Sequence, residues 1–82
     1  HLAAEQGDEF AQSNLGLMYS NGQGVPQDYV SAHMWYNLAA SNGDKFGNHN
    51  RDIVAGQMTS AQIAEAQKLA KECEEKNYKN CD

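Results

Sequence analysis

Several things are scarce in this chain, and each shortage narrows what it can be. Among its 82 residues there is one proline, one tryptophan and two cysteines. No stretch approaches the roughly 20 consecutive apolar residues that a membrane-spanning helix needs. Mean hydropathy is -0.77, so no membrane insertion is expected. The first 44 residues contain no Lys or Arg, only Glu5, Asp8, Glu9, Asp28 and Asp44, and therefore carry the whole net charge of -5. Nucleic acid and anionic lipid would be repelled by that half and are not expected partners. No segment sustains the two-residue alternation of a half-buried strand, so no sheet is expected. A chain this short holds one core near the lower size limit, which excludes a two-domain enzyme.

Catalytic signatures are missing too. Ser13, Ser20, Ser31, Ser41, Thr59 and Ser60 belong to no G-x-S-x-G elbow and no Ser-x-x-Lys pair. Gly22-Gln23-Gly24 lacks the G-K-[ST] ending of a phosphate loop. His33 and His49 each stand alone, His33 reading as a helix-surface residue, and no C-x-x-C or zinc spacing is present. No cofactor, metal or catalytic residue is expected, and the chain reads as no enzyme. Lys71, Glu72, Glu74, Glu75, Lys76 and Lys79 read as a solvated mixed-charge end.

What is present is a repeat. His1 to Phe10 aligns with Asn37 to Phe46 at an offset of 36, with six of ten positions identical. Self-similarity at such a period marks stacked helical units, each burying its apolar face only against neighbours. Met34-Trp35-Tyr36 precede the second copy and nothing precedes the first. The chain is therefore expected to begin inside the last turns of a helix from an upstream repeat.

Element by element, Asp8 is expected to cap a helix over 9–20 with Ala11, Leu15, Met18 and Tyr19 on its apolar stripe. Asn21 to Pro26 reads as a loop, with two glycines and a proline. Asp28 caps an amphipathic helix to about Asn42, with Ala32, Trp35, Tyr36, Ala39 and Ala40 inside. Gly43 ends it. Asp44 starts a third helix over 45–56, whose apolar residues are Phe46, Ile53, Val54 and Ala55. Thr59 to Gln62 forms a capping box that starts a fourth helix at Ser60, with Ile63, Ala66, Ala70 and Cys73 on its apolar face. Asn77 is the expected left-handed stop, with Tyr78 packing back on Cys73 in a Schellman ending.

Leu15-Gly16-x-x-Tyr19, the Asn21-Gly22-Gln23-Gly24-Val25 loop, Asp28, Ala32, Trp35-Tyr36, Ala39-Ala40 and Gly43 together resemble the Sel-1-like repeat, a relative of the tetratricopeptide repeat. The resemblance implies an all-α fold of antiparallel helix-turn-helix repeats stacked as an α/α superhelix. Residues 1–7 would end a preceding helix, 8–43 form one complete repeat, 44–76 a degenerate capping repeat and 77–82 a tail. The second unit departs from the pattern at Arg51, Asp52 and Ala55, where Leu, Gly and Tyr are expected. The structural core would comprise Ala11, Leu15, Gly16, Met18, Tyr19, Ala32, Trp35, Tyr36, Ala39 and Ala40. Gly16 and the alanines permit close helix approach, and Trp35 and Tyr36 fill the remaining space.

In stacked repeats the first helix of each pair lines a concave face. Ser13, Leu17 and Asn21, with their offset equivalents His49, Ile53 and Gln57, are the candidate partner-binding residues. The expected function is a protein-protein interaction scaffold or adaptor binding a protein or peptide. An alternative implied by disulfide-bearing relatives is β-lactam binding or weak β-lactamase activity, and a third reading is a structural cap with no ligand of its own. Self-association through Leu2 and the Ala3-Ala4 pair of the truncated N-terminal helix is expected.

Cys73 and Cys81 bracket a helix end and a turn, so a bridge between them is within reach, with two free thiols in a cytoplasmic protein as the alternative. Some secreted bacterial members of the family are similar in carrying cysteine pairs at this spacing. That likeness and the pairing geometry imply a periplasmic or secreted location.

Overall fold

The computed structural model describes residues 2–81, with side chains from Ala3 onward. Five helices follow one another: α1 (Leu2–Glu5), α2 (Glu9–Asn21), α3 (Tyr29–Ser41), α4 (Lys45–Ala55) and α5 (Ser60–Glu75). Among the described residues there is no strand, and no helix is long and apolar enough to cross a membrane. The fold is an all-α helical repeat. His1, where the N-terminal reading begins, lies outside the described residues.

Local chemistry sets the boundaries. Asp8 accepts from the Phe10 and Ala11 amides at 2.9 and 3.2 Å, and Asp28 from Val30 and Ser31 at 3.0 and 3.2 Å. Asp44 accepts from Phe46 at 2.9 Å, so α2, α3 and α4 each start on an aspartate. The Thr59–Gln62 capping box forms in both directions, at 2.9 and 3.1 Å.

One turn is built twice. After α1, the Gly7 amide donates to Ala4 O and the Asp8 amide to Ala3 O, both at 3.1 Å. After α3, the Gly43 amide donates to Ala40 O at 3.1 Å and the Asp44 amide to Ala39 O at 3.0 Å. Both glycines take the left-handed conformation that this Schellman closure requires, at φ 84° and 100°. The helix α5 ends the same way without glycine: the Tyr78 amide donates to Cys73 O at 2.8 Å, with Asn77 at φ 55° and Tyr78 at 66°. A tyrosine in that region is uncommon, and tertiary contacts described below hold it there.

The helix α3 is central and packs against α2, α4 and α5. On one side Met34, Trp35 and Leu38 join Ala4, Leu15, Ala70 and Cys73; on the other Ala32 and Tyr36 join Val54. The amphipathic reading of α3 therefore needs correcting: Ala32 through Tyr36 are all buried, because three neighbours wrap it. His33, read as a surface residue, is 3% exposed for the same reason. Of the expected core, Leu15, Gly16, Ala32, Trp35, Tyr36 and Ala39 are buried, while Ala11, Met18, Tyr19 and Ala40 are half-buried. Phe46, assigned to the apolar face of α4, is instead 70% exposed, and Gly47 occupies the contact with α3. Ala4, offered as a self-association residue, is fully buried in this chain's own core; the side chain of Leu2 lies outside the described residues. The helix α5 takes α3 rather than α4 as its packing partner.

Two glycines set the spacing around α3. A Cβ on Gly16 would fall 2.6 Å from Cδ1 of the Tyr36 ring, and one on Gly47 would fall 2.8 Å from the backbone oxygen of Tyr36. Replacing either by Ala improves helix propensity by about 0.5–1 kcal/mol, but overpacking costs about 1–3 kcal/mol. Both Gly16→Ala and Gly47→Ala should lower the midpoint of thermal unfolding. Trimming the ring with Tyr36→Leu should reduce the further loss caused by Gly16→Ala but not that caused by Gly47→Ala, where the obstacle is backbone.

Candidate functional site

The helices α2 and α4 are neighbours, and a buried carboxylate ties them. Asp44 is 6% exposed; one oxygen caps α4 and the other accepts from Ser13 Oγ at 2.5 Å. Ser13, a candidate face residue, is thus spent on fixing α4 against α2. The remaining candidates, Leu17, Asn21, His49, Ile53 and Gln57, are exposed.

The exposed large hydrophobic residues reveal more than those candidates do. Among the described residues they are Phe10 (67%), Leu17 (45%), Phe46 (70%) and Ile53 (56%). Phe10 and Phe46 correspond at the repeat offset, and so do Leu17 and Ile53. Within each helix the two lie seven residues apart, about 20° from the same meridian and roughly 10 Å along the axis. Each of two adjacent helices therefore carries one apolar stripe in solvent. Phe10 escaped the sequence reading and Phe46 was misassigned, although their recurrence at the offset was visible.

A second feature lies at the junction of α3 and α4. A groove of about 410 Å³ opens there, lined in part by Gly43, Asp44, Lys45, Asn48 and Arg51. Arg51 stands where the repeat pattern has leucine; its Nη1 donates to Asn37 Oδ1 on α3 at 2.8 Å and its Nη2 to Asn48 Oδ1. A polar tie between helices thus replaces an apolar one.

Inside the fold, Gln12 is fully buried and donates from Nε2 to Ala4 O at 3.1 Å. Its Oε1 accepts from Asn42 Nδ2 at 3.0 Å, and Asn42 Oδ1 accepts from the Tyr78 hydroxyl at 3.3 Å. This relay joins α1, α2, the end of α3 and the C-terminal tail, and no sequence pattern announced it. Cys73, 1% exposed, and half-buried Cys81 stand at disulfide distance, their Cα atoms 5.5 Å apart, so the tail returns over the core.

Serine hydroxyls meet carboxylates twice, Ser13 on Asp44 and Ser31 on Asp28, but both carboxylates are helix caps. Among the described residues no three His, Cys, Asp or Glu side chains converge as a metal site.

Helices in short antiparallel succession, a glycine turn repeated at a fixed offset and a central helix wedged by Trp35 and Tyr36 define the class: an α-helical repeat unit. Residues 10–44 match the Sel1 repeat family. Such repeats are generally protein-protein interaction modules. A sel1-like repeat-containing protein of Acanthamoeba polyphaga mimivirus is 40% identical over 47 residues, which are 57% of this chain and 9% of that protein. The chain therefore spans under a tenth of that relative's length. No solved structure matches the chain.

His33 yields a prediction of its own. Burial, and then the positive charge of Arg51, hold its pKa below the ordinary 6.5, with Asp52 opposing. The unfolded chain takes a proton that the folded chain resists, so His33 costs no stability above about pH 6.5, and stability falls as pH drops from there towards the folded pKa. His33→Gln should flatten the dependence of the unfolding midpoint on pH between about 7.5 and 5.5. An unchanged slope would remove His33 as its source.

Proposed function

We propose that this chain is a protein-binding module that grips an amphipathic peptide or helix on the solvent stripes of α2 and α4. One observation carries the reading: the four exposed large hydrophobic residues among those described fall as two pairs at the repeat offset on neighbouring helices. Leu17 and Ile53 are the central anchors, with Phe10 and Phe46 beyond them and Asn21, His49 and Gln57 as a polar border. The Ser13–Asp44 bond holds the two helices in fixed relation, so the surface is preorganised. In this reading 8–43 is the complete repeat and 44–76 the capping unit that closes a stack. No observation favours β-lactam binding or hydrolysis over this.

Leu17→Glu and Ile53→Glu test it directly. Both positions are exposed, so each variant should unfold within about 0.5 kcal/mol of the parent chain. Proteins captured by the parent chain should be lost from both variants. Retention by both would refute the α2/α4 surface.

We further propose that Cys73 and Cys81 are bonded and that the chain works in an oxidising compartment, periplasmic or extracellular. The viral relative gives no ground for a bacterial host in particular. Alkylation under non-reducing, denaturing conditions should add no label, and reduction should cost roughly 2.5 kcal/mol of stability by the chain-entropy relation. Two labels without reduction would place the chain among reduced, cytoplasmic proteins.

A further inference from the structure

The turn that is built twice is not used twice in the same way. At the first copy the ring of Tyr78 lies over Gly7, with Cε2 3.4 Å from where a Cβ would stand, and its hydroxyl is received by the Asn42–Gln12 relay. Ala4 and Leu15 belong to the same cluster as Tyr78. At the second copy no described residue comes within 4 Å of the corresponding point on Gly43. The groove of about 410 Å³ opens there instead.

Its lining follows the first copy by position and differs from it in charge. Ala40 repeats Ala4 and Asn48 takes the place of Gln12, keeping an amide where the relay begins. Lys45 stands for Glu9 and Arg51 for Leu15, so beside Asp44, the repeat of Asp8, the notch has two cations where its counterpart has none. They occur on a chain whose first 44 residues have no Lys or Arg. Arg51 is braced by Asn37 and Asn48 and paired through Nε with Asp52 at 3.5 Å, which fixes its guanidinium at the groove and leaves Lys45 as the cation there with no carboxylate partner of its own among the described residues.

We propose that the open turn at Gly43 is a docking notch for an aromatic side chain carried on an acidic segment of a partner protein. The occupied copy shows what such a turn accepts: a ring laid on the glycine, with its hydroxyl led into amide side chains. The exchanged charges state how the open copy differs, because a guanidinium and an ammonium beside a ring favour both the ring face and neighbouring carboxylates. This notch is distinct from the α2/α4 stripes, and either can fail without the other.

The test titrates the chain with acetyl-Glu-Asp-Tyr-Asp-Glu-amide while its amide resonances are followed. Saturable shifts should centre on Gly43, Lys45, Asn48 and Arg51. Exchanging the peptide's Tyr for Ala should weaken binding about tenfold, and raising ionic strength should weaken it further. Lys45→Glu and Asn48→Trp, both at exposed positions, should each reduce binding by about tenfold or more while leaving the fold's resonance pattern intact. Equal binding of the Ala peptide, shifts centred elsewhere, or indifference to both variants would overturn the proposal. Self-association without peptide that Lys45→Glu relieves would also overturn it, by making a second copy the occupant.

Discussion

The arrangement depends on how closely α3 is approached from two sides. On one, Gly16 of α2 receives the ring of Tyr36; on the other, Gly47 of α4 lies against the backbone of Tyr36 and Ala40 and the methyl of Ala39. Removing a side chain at each contact brings the neighbouring helices in by the width of that side chain, and only then do α2 and α4 sit near enough for Ser13 to reach Asp44. The glycines are helical, where they cost about 0.5–1 kcal/mol each in backbone entropy relative to alanine. That cost is accepted because α3 brings large groups to the shared core: Trp35, Met34 and Leu38 are all essentially inaccessible. A fold of this size has few such contacts, and losing one opens the space on which the others depend.

What could be read from the sequence was what is decided locally. An aspartate before a helical run, a Thr-x-x-Gln box and a glycine after an alanine pair specify helix ends through hydrogen bonds spanning a few residues, and those ends fall where the residues place them. The apolar stripe of α3 was legible only in part, because periodicity assumes one buried face and α3 has neighbours on three sides. His33 was misjudged on that account. Phe46 failed for the opposite reason. A large apolar residue in a sparse helix looks like its core contact, whereas here glycine fills that role because α3 comes so close. The Gln12 relay joins residues separated by 8, 30 and 36 positions, and no local pattern encodes such partners.

The acidity of the first half also changes meaning once the helices are placed. Asp8, Asp28 and Asp44 are all N-caps, so three of its five carboxylates face the positive ends of helix dipoles and are bonded to backbone amides. Their charge is in large part a device for starting helices. The α3–α4 junction differs from the first half in bringing Lys45 and Arg51 together with Asp44, Arg51 being paired with Asp52 at 3.5 Å.

The distribution of apolar side chains gives the strongest physical ground for an interaction role. A small domain has every reason to bury what it can, since each large side chain fully removed from water contributes on the order of 1.5–3 kcal/mol. This one encloses a glutamine and a histidine while leaving two phenylalanines, a leucine and an isoleucine in solvent. Scattered single residues would mean little, as every protein surface contains some. These four are not scattered: they recur at the repeat offset, two on each of two adjacent helices, and helix propensity itself favours Glu, Gln or Lys over phenylalanine at such positions. Stability of the isolated chain gives no reason for that pattern, whereas an apolar surface completed by another molecule does.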